Sequence, residues 1–284
     1  MKGKQIAIIV AVLVIVGYLY SLPVKGLIKP KEGHANNGMV AGSKPAPAAN
    51  ISADMVSATA KTAIGANLSA KITDLESQLK QAAGEKQKEE LQRQLAKQWD
   101  DVNQPAPAAF YYLELARKQH DFNDWLNAGT RFNDAYRLSQ DSSLQSAFVM
   151  NAVEALQNAN KLQPDNLDAK AGLGVAYVNG GAPSPMQGIS LLLEVVAKDP
   201  NNRSANLNLG MFSMKSGQYE KAVVRFKTLI AQKPEVEPYF YLAESYKQLG
   251  QKQQAIDAYQ KCKELMPDPT FGKRIDDFIK ELKN

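Results

Sequence analysis

The sequence predicts an all-α protein, a solenoid of stacked antiparallel helix pairs preceded by a transmembrane helix and a flexible linker. Three observations carry that expectation. A pattern of Leu, Gly or Ala, a second small residue, an aromatic and Pro recurs after 33 residues in the second half of the chain. Small residues precede prolines by 12 residues at four successive places. An unbroken apolar run flanked by lysines opens the sequence. A fixed internal period of roughly 20–50 residues marks architectures in which each unit packs only against its neighbours.

From Ile6 to Tyr20 every residue is apolar or aromatic except Gly17, and no charge appears until Lys25. As a helix, Gln5–Val24 would span about 30 Å at ~1.5 Å per residue, close to the hydrocarbon thickness of a bilayer. Tyr18 and Tyr20 sit where an interfacial aromatic pair belongs, and Pro23 is a stop. A cleaved signal peptide is the competing reading, but its small-residue cleavage site is replaced by the poor Val24-Lys25-Gly26. No cysteine follows the run directly, which removes a lipoprotein anchor. Residues 1–24 are therefore expected to be a single-pass anchor in a bacterial inner membrane, touching lipid through residues 6–24. A short amino-terminal tail usually stays in the cytoplasm, which places the body of the chain in the periplasm. Residues 25–50 read as a flexible tether, dominated from Glu32 on by Gly, Ala, Asn and Pro.

Composition narrows the functions. Of the 34 Lys and Arg, five (Lys2, Lys4, Lys25, Lys29 and Lys31) flank the apolar run, which leaves 29 against 29 acidic side chains in the rest. The body is neutral and lacks the basic footprint of a nucleic-acid binder. Cys262 is the only cysteine, so no intramolecular disulfide forms. With only His34 and His120 besides, a zinc or haem site is not expected, and neither is any other cofactor. No phosphate-loop, dinucleotide, zinc-protease or nucleophile-elbow string occurs, so no enzyme activity or small-molecule substrate is expected. Cys262, with no histidine near it in sequence, reads as a core thiol rather than a nucleophile. Gly180-Gly181 reads as a widened inter-helix turn rather than a phosphate loop.

The repeats carry the most information. Leu209-Gly210, Gly217, Ala222, Phe226 and Pro234 are matched by Leu242-Ala243, Gly250, Ala255, Tyr259 and Pro267. Upstream, Leu173-Gly174, Tyr177, Gly188, Leu192 and Pro200 repeat the pattern with two residues inserted around Ala182–Pro185. Ala152/Pro164, Gly188/Pro200, Ala222/Pro234 and Ala255/Pro267 keep one spacing. With Trp125, Ala128-Gly129 and Phe132, these residues resemble the tetratricopeptide-repeat family, whose unit opens W-x2-L-G-x2-Y and continues with Ala, an aromatic and Pro. A degenerate unit precedes them, with Leu95-Ala96, Trp99, Ala108, Tyr112 and Leu115 at the same offsets and His120 in place of proline.

The resemblance covers residues 89–268 as five units, at 89–121, 122–166, 167–202, 203–235 and 236–268. In the second unit Gly129 and Ala152 are 23 residues apart, against 12 for Gly210 and Ala222. Two lengthened helices are expected there, either a partner-specific feature or a local widening. Residues 269–284 read as a capping helix with Ile275, Phe278, Ile279 and Leu282 on one face. Residues 51–88 read as helices packing on the solenoid through Leu68, Ile72, Leu75 and Leu79 rather than as a dimerising coil.

The resemblance implies a scaffold that holds a protein or peptide, with a peptide or helix lying on a concave face lined by the first helix of each unit. Its inward-facing positions fall on Leu126, Thr130 and Asn133 in the second unit and on Ala171, Val175 and Val178 in the third. In the fourth they fall on Leu207, Asn208, Met211, Met214 and Lys215, and in the fifth on Phe240, Tyr241, Glu244 and Lys247. Asn208 is the one match to the clamp that grips acidic chaperone tails; Leu207 and Met211 replace the rest. A Met- and aromatic-lined surface suits an apolar helix or extended peptide, although Met211 and Met214 equally suit packing between helices. Anchor and repeats together resemble subunits of membrane assemblies, so the alternative role is an assembly or chaperone-like subunit of a bacterial envelope complex, for example in cytochrome c maturation.

Overall fold

The structure, a computed structural model, describes residues 51–182 and 184–283. Thirteen α-helices and no strand occur among them. The anchor expected at 1–24 and the linker expected at 25–50 lie outside the described residues. Among the described residues no helix is long and apolar enough to cross a membrane.

Helices α1 (Ala53–Lys61) and α2 (Ala66–Gln81) precede five antiparallel pairs. These are α3 (Glu85–Asp101) with α4 (Pro105–Gln119), and α5 (Phe122–Leu138) with α6 (Ser142–Leu162). Then come α7 (Leu167–Ala176) with α8 (Pro185–Lys198), α9 (Arg203–Lys215) with α10 (Tyr219–Gln232), and α11 (Val236–Gln248) with α12 (Lys252–Leu265). Helix α13 (Pro269–Lys283) closes the chain. A π-type turn over Tyr177–Gly181 lengthens the link between α7 and α8, where the repeat pattern carries its two extra residues.

Local chemistry sets these boundaries. The side chains of Asp121, Asp141, Asn166, Ser184 and Asn202 accept hydrogen bonds from the exposed first-turn N–H groups of α5 to α9. Pro164, Pro200, Pro234 and Pro267 each follow the last residue of a second helix by two positions, where proline cannot continue the hydrogen-bond ladder. Gly217 and Gly250 turn the chain between first and second helices at φ 73° and 71°, a region that costs other residues strain.

The pairs cross closely because small residues stand at the crossings. Gly129 makes room for Leu156 and Gly210 for Phe226. The α7–α8 crossing is tightest, since a Cβ on Gly188 would lie 2.2 Å from the Gly174 carbonyl oxygen. Large side chains fill the space between successive pairs: Trp99, Phe132, Leu192, Phe226 and Tyr259 are all fully buried. Burying each contributes roughly 1.5–3 kcal/mol.

The second pair is the longest. Its helices run 17 and 21 residues, against 13 and 14 for α9 and α10. The extra length is helix, not loop. At the amino end α1 packs on α4 and α2 on α3. Ile72 is fully buried there, Leu75 and Leu79 are half-buried, and Leu68 faces water. Buried Glu76 accepts hydrogen bonds from Ser57 and Lys61 of α1, which ties the two helices together. At the other end Ile275, Ile279 and Leu282 of α13 are buried, and Phe278 stacks on Tyr259 at 5.6 Å. Helix α13 takes the place that the first helix of a further pair would occupy.

Candidate functional site

The first helices of the second to fifth pairs share the lining of one groove of about 830 Å³. Helix α5 contributes Leu126, Thr130 and Asn133, and α7 contributes Val175. Helix α9 contributes Leu207, Asn208, Met211 and Lys215, and α11 contributes Tyr241. Nine of the fifteen sequence-derived positions therefore meet in one place across four helices.

The remaining positions lie elsewhere, each for a packing reason. Ala171 is fully buried in a core with Leu192, Val195 and Leu209. Val178 packs against Gly188, where a Cβ would meet its Cγ2 at 2.6 Å. Met214 packs on the core of the last two pairs. Phe240 lies edge-on to Tyr259 and Phe278, both at 5.9 Å. Glu244 accepts a hydrogen bond from the Tyr259 hydroxyl. Lys247 pairs with Glu281 at 3.4 Å and lies over the Phe278 ring. Phe240, Glu244 and Lys247 follow one another at helical spacing on the stripe of α11 that meets α13, which leaves Tyr241 alone to reach the groove.

Several lining residues have no counterpart in the sequence reading. Asp134 directly follows Asn133, and Tyr136 and Arg137 lie on the part of α5 beyond the 13 residues of α9 and α11. Asp168, Asn202 and Arg203 come from helix starts rather than helix faces. The lengthening of the second unit was the one available signal for the first group, because extra turns carry extra inward positions.

The groove is polar as well as apolar. Arg137 Nη1 lies 2.8 Å from Glu237 Oε1, a bridge from the second pair to the fifth. Arg203 pairs with Glu235 at the start of α11. Burial lifts the Asp134 carboxyl above its ordinary pKa, against the opposing pull of Arg137 and Arg131 at 3.8 and 3.6 Å. Burial also raises the Tyr241 hydroxyl, and the Glu237 charge adds to that. Lys215 has the Phe212 ring 6.0 Å away. Asn133 Nδ2 donates to the Gly172 carbonyl oxygen at 3.0 Å, fixing the amide on the groove wall. Cys262 lies apart from all of this, fully buried between helices, and burial pushes its thiol up to about 12. A thiol so held is not a nucleophile at neutral pH.

Stacked helix pairs with a shared groove along their first helices give a tetratricopeptide-like helical solenoid fold. The family model described as the tetratricopeptide repeat matches residues 236–269, which is the α11–α12 unit. Among solved structures, a thermophilic tetratricopeptide-repeat protein of Thermus thermophilus is similar at 20% identity with a TM-score of 0.52, covering 66% of this chain and 97% of that one. MamA of Desulfovibrio magneticus is similar at 20% identity and a TM-score of 0.44, over 65% of this chain and 97% of that one. YrrB, a tetratricopeptide-repeat protein with an unusual peptide-binding site, shares 17% identity at a TM-score of 0.41, over 66% and 91%. No curated protein sequence matches the chain.

Proposed function

We propose that this protein is a membrane-tethered scaffold that binds a polypeptide segment of a partner in the groove between α5, α7, α9 and α11. A groove shared by four non-contiguous helices carries this reading: side chains up to 115 residues apart in sequence, from Leu126 to Tyr241, converge on one concavity. Its walls mix adaptable apolar groups, Leu126, Leu207 and Met211, with amides and charges, which is the composition of surfaces that hold peptides. The role is binding rather than catalysis. The tether rests on the lysine-flanked apolar run Ile6–Tyr20.

A photo-crosslinking residue placed at Met211 tests the groove directly. Partner adducts are expected there and not from Val224, which is 62% exposed on α10. Equal labelling from both positions, or adducts that survive Met211→Glu placed beside a crosslinker at Leu207, would remove the groove from the reading. Alkaline phosphatase fused after Asn284 reports the tether's direction; activity is expected if the repeats lie in the periplasm, and inactivity with intact fusion protein refutes that placement.

A further inference from the structure

A second concavity, of about 310 Å³, lies at the amino end of the repeats and shares no lining residue with the groove. Helix α1, the start of α4, the end of α5 and the first turns of α6 wall it. The lengthened second pair makes it possible, since Ala135 and Leu138 lie beyond the 13 residues that complete α9 and α11. Val56, Ala60, Ala135 and Phe148 are buried in it, while Met55 and Leu138 stand 54% and 65% exposed. Leu138 is more exposed than any other large apolar side chain among the described residues. Exposed apolar groups gathered round an apolar recess mark a surface that meets a partner or a membrane.

The chemistry of the walls selects between those two. No described residue of the lining is charged, and its polar side chains are those of Thr59, Gln104 and Ser139. The buried polar atoms that lack a hydrogen-bond partner among the described residues all belong elsewhere. A polypeptide main chain entering the recess brings N–H and C=O groups that such walls cannot receive, at roughly 1–3 kcal/mol for each left unpaired. A hydrocarbon chain brings none, and removing its own apolar surface from water draws it in. Ile51, where the described chain begins, is itself part of the wall. Residues 25–50 lead to it from the apolar run, and a coil of that length spans roughly 30 Å. The recess thus opens at the end of the repeats that the tether joins.

Resting on the reading of Ile6–Tyr20 as a membrane tether, we propose that this recess takes the acyl-chain end of a bilayer phospholipid, with Met55 and Leu138 entering the hydrocarbon edge beside it. The repeat domain thereby makes a contact with lipid of its own, on a surface separate from the groove.

The test places the full-length chain in phosphatidylcholine vesicles that carry a trace of phosphatidylcholine with a diazirine at the acyl-chain end. After irradiation, lipid adducts are mapped by mass spectrometry. Two clusters are expected, one within Ile6–Tyr20 and one on Met55, Leu138 and their neighbours in the recess. Met55→Glu with Leu138→Glu changes only exposed side chains, and is expected to lower the second cluster roughly tenfold while leaving the first unchanged. Adducts confined to Ile6–Tyr20, or a second cluster indifferent to the paired substitution, overturn the proposal and leave the tether standing. No adducts on Ile6–Tyr20 overturn the tether and the proposal with it. Palmitic acid bearing the same diazirine, at the same mole fraction, is the second arm; stronger labelling of the recess by the free acid overturns the bilayer as the source. A photo-crosslinker at Leu138 that captures a second copy of the chain instead of lipid makes the patch a self-association surface and overturns the lipid contact.

Discussion

Gly188 illustrates how closely single residues are constrained in this stack. A methyl group there would stand 2.2 Å from the Gly174 carbonyl oxygen, and backbone on both sides leaves nothing flexible to yield. Gly188→Ala is expected to force α7 and α8 apart at a cost on the order of 1–3 kcal/mol, read as a lowered denaturant midpoint. Gly272, in the first turns of α13, is the control. Its nearest neighbour to a new Cβ is Lys263 Cε at 3.7 Å, so Gly272→Ala is expected to leave stability unchanged or raise it by up to about 1 kcal/mol. Equal losses from the two substitutions would show that packing at the crossing is not what Gly188 provides. The sequence pattern names Gly188 as the small residue opening a second helix, yet its proximity to Gly174 across the crossing is a tertiary fact. The same holds for Phe240: its spacing places it among the inward positions, and only the tertiary packing of Tyr259 and of Phe278 from α13 turns it into a packing residue.

Between elements, paired charges differ greatly in what they contribute. Arg93 of α3 forms two hydrogen bonds, 2.8 and 2.9 Å, to Asp124 of α5, whose side chain is only 1% exposed. Arg117 of α4 makes an equally short pair with Glu154 of α6, but those side chains are 50% and 39% exposed. Removing Arg93 strands a buried carboxylate, whereas removing Arg117 returns a carboxylate to water. Arg93→Ala is expected to cost between about 1 and 3 kcal/mol, below the range for a fully buried pair because the guanidinium is half in water. Arg117→Ala is expected to cost under about 1 kcal/mol. Thermal unfolding of the two variants at low and high salt checks this, and comparable losses that both fade with salt would contradict it. The second pair's long helices were legible as a stretched spacing between Gly129 and Ala152. That the added turn of α5 carries Arg137 to Glu237, 100 residues away in sequence, was not, because the contact depends on how the intervening pairs stack.

Across the whole repeat domain, stability is a sum over neighbours, so an uncovered end is a weak end. Helix α13 buries Ile275, Ile279 and Leu282 and covers Tyr259 with Phe278. Ending the chain after Pro267 is expected to remove several kcal/mol from the last pair, at roughly 1.5–3 kcal/mol for each apolar side chain lost. Cys262 reports the change. Buried beside Tyr259, with its thiol pushed up to about 12, it is expected to resist a thiol reagent at pH 8 in the intact protein. In the shortened chain it is expected to react while the far-ultraviolet helical signal is largely kept. Continued protection of Cys262 would mean that the fifth pair holds its core without the cap.

The amino-acid sequence by itself determined the helix pairs and where they end. Capping side chains, prolines two residues past the second helices of the last four pairs and small residues at the crossings all act within one pair or on the next. A period of 33 residues records such short-range rules directly. The groove was partly legible for the same reason, since Leu126, Asn133, Asn208 and Met211 follow from position along a first helix. Tertiary structure alone decided which of those positions stay open. Helix α13 covers the outer stripe of α11, the α7–α8 crossing takes Val178, and the stacking of α5, α7, α9 and α11 gathers the helix starts at Asp168 and Arg203. Burial and proximity between distant units depend on the accumulated rotation from pair to pair, which no local spacing encodes.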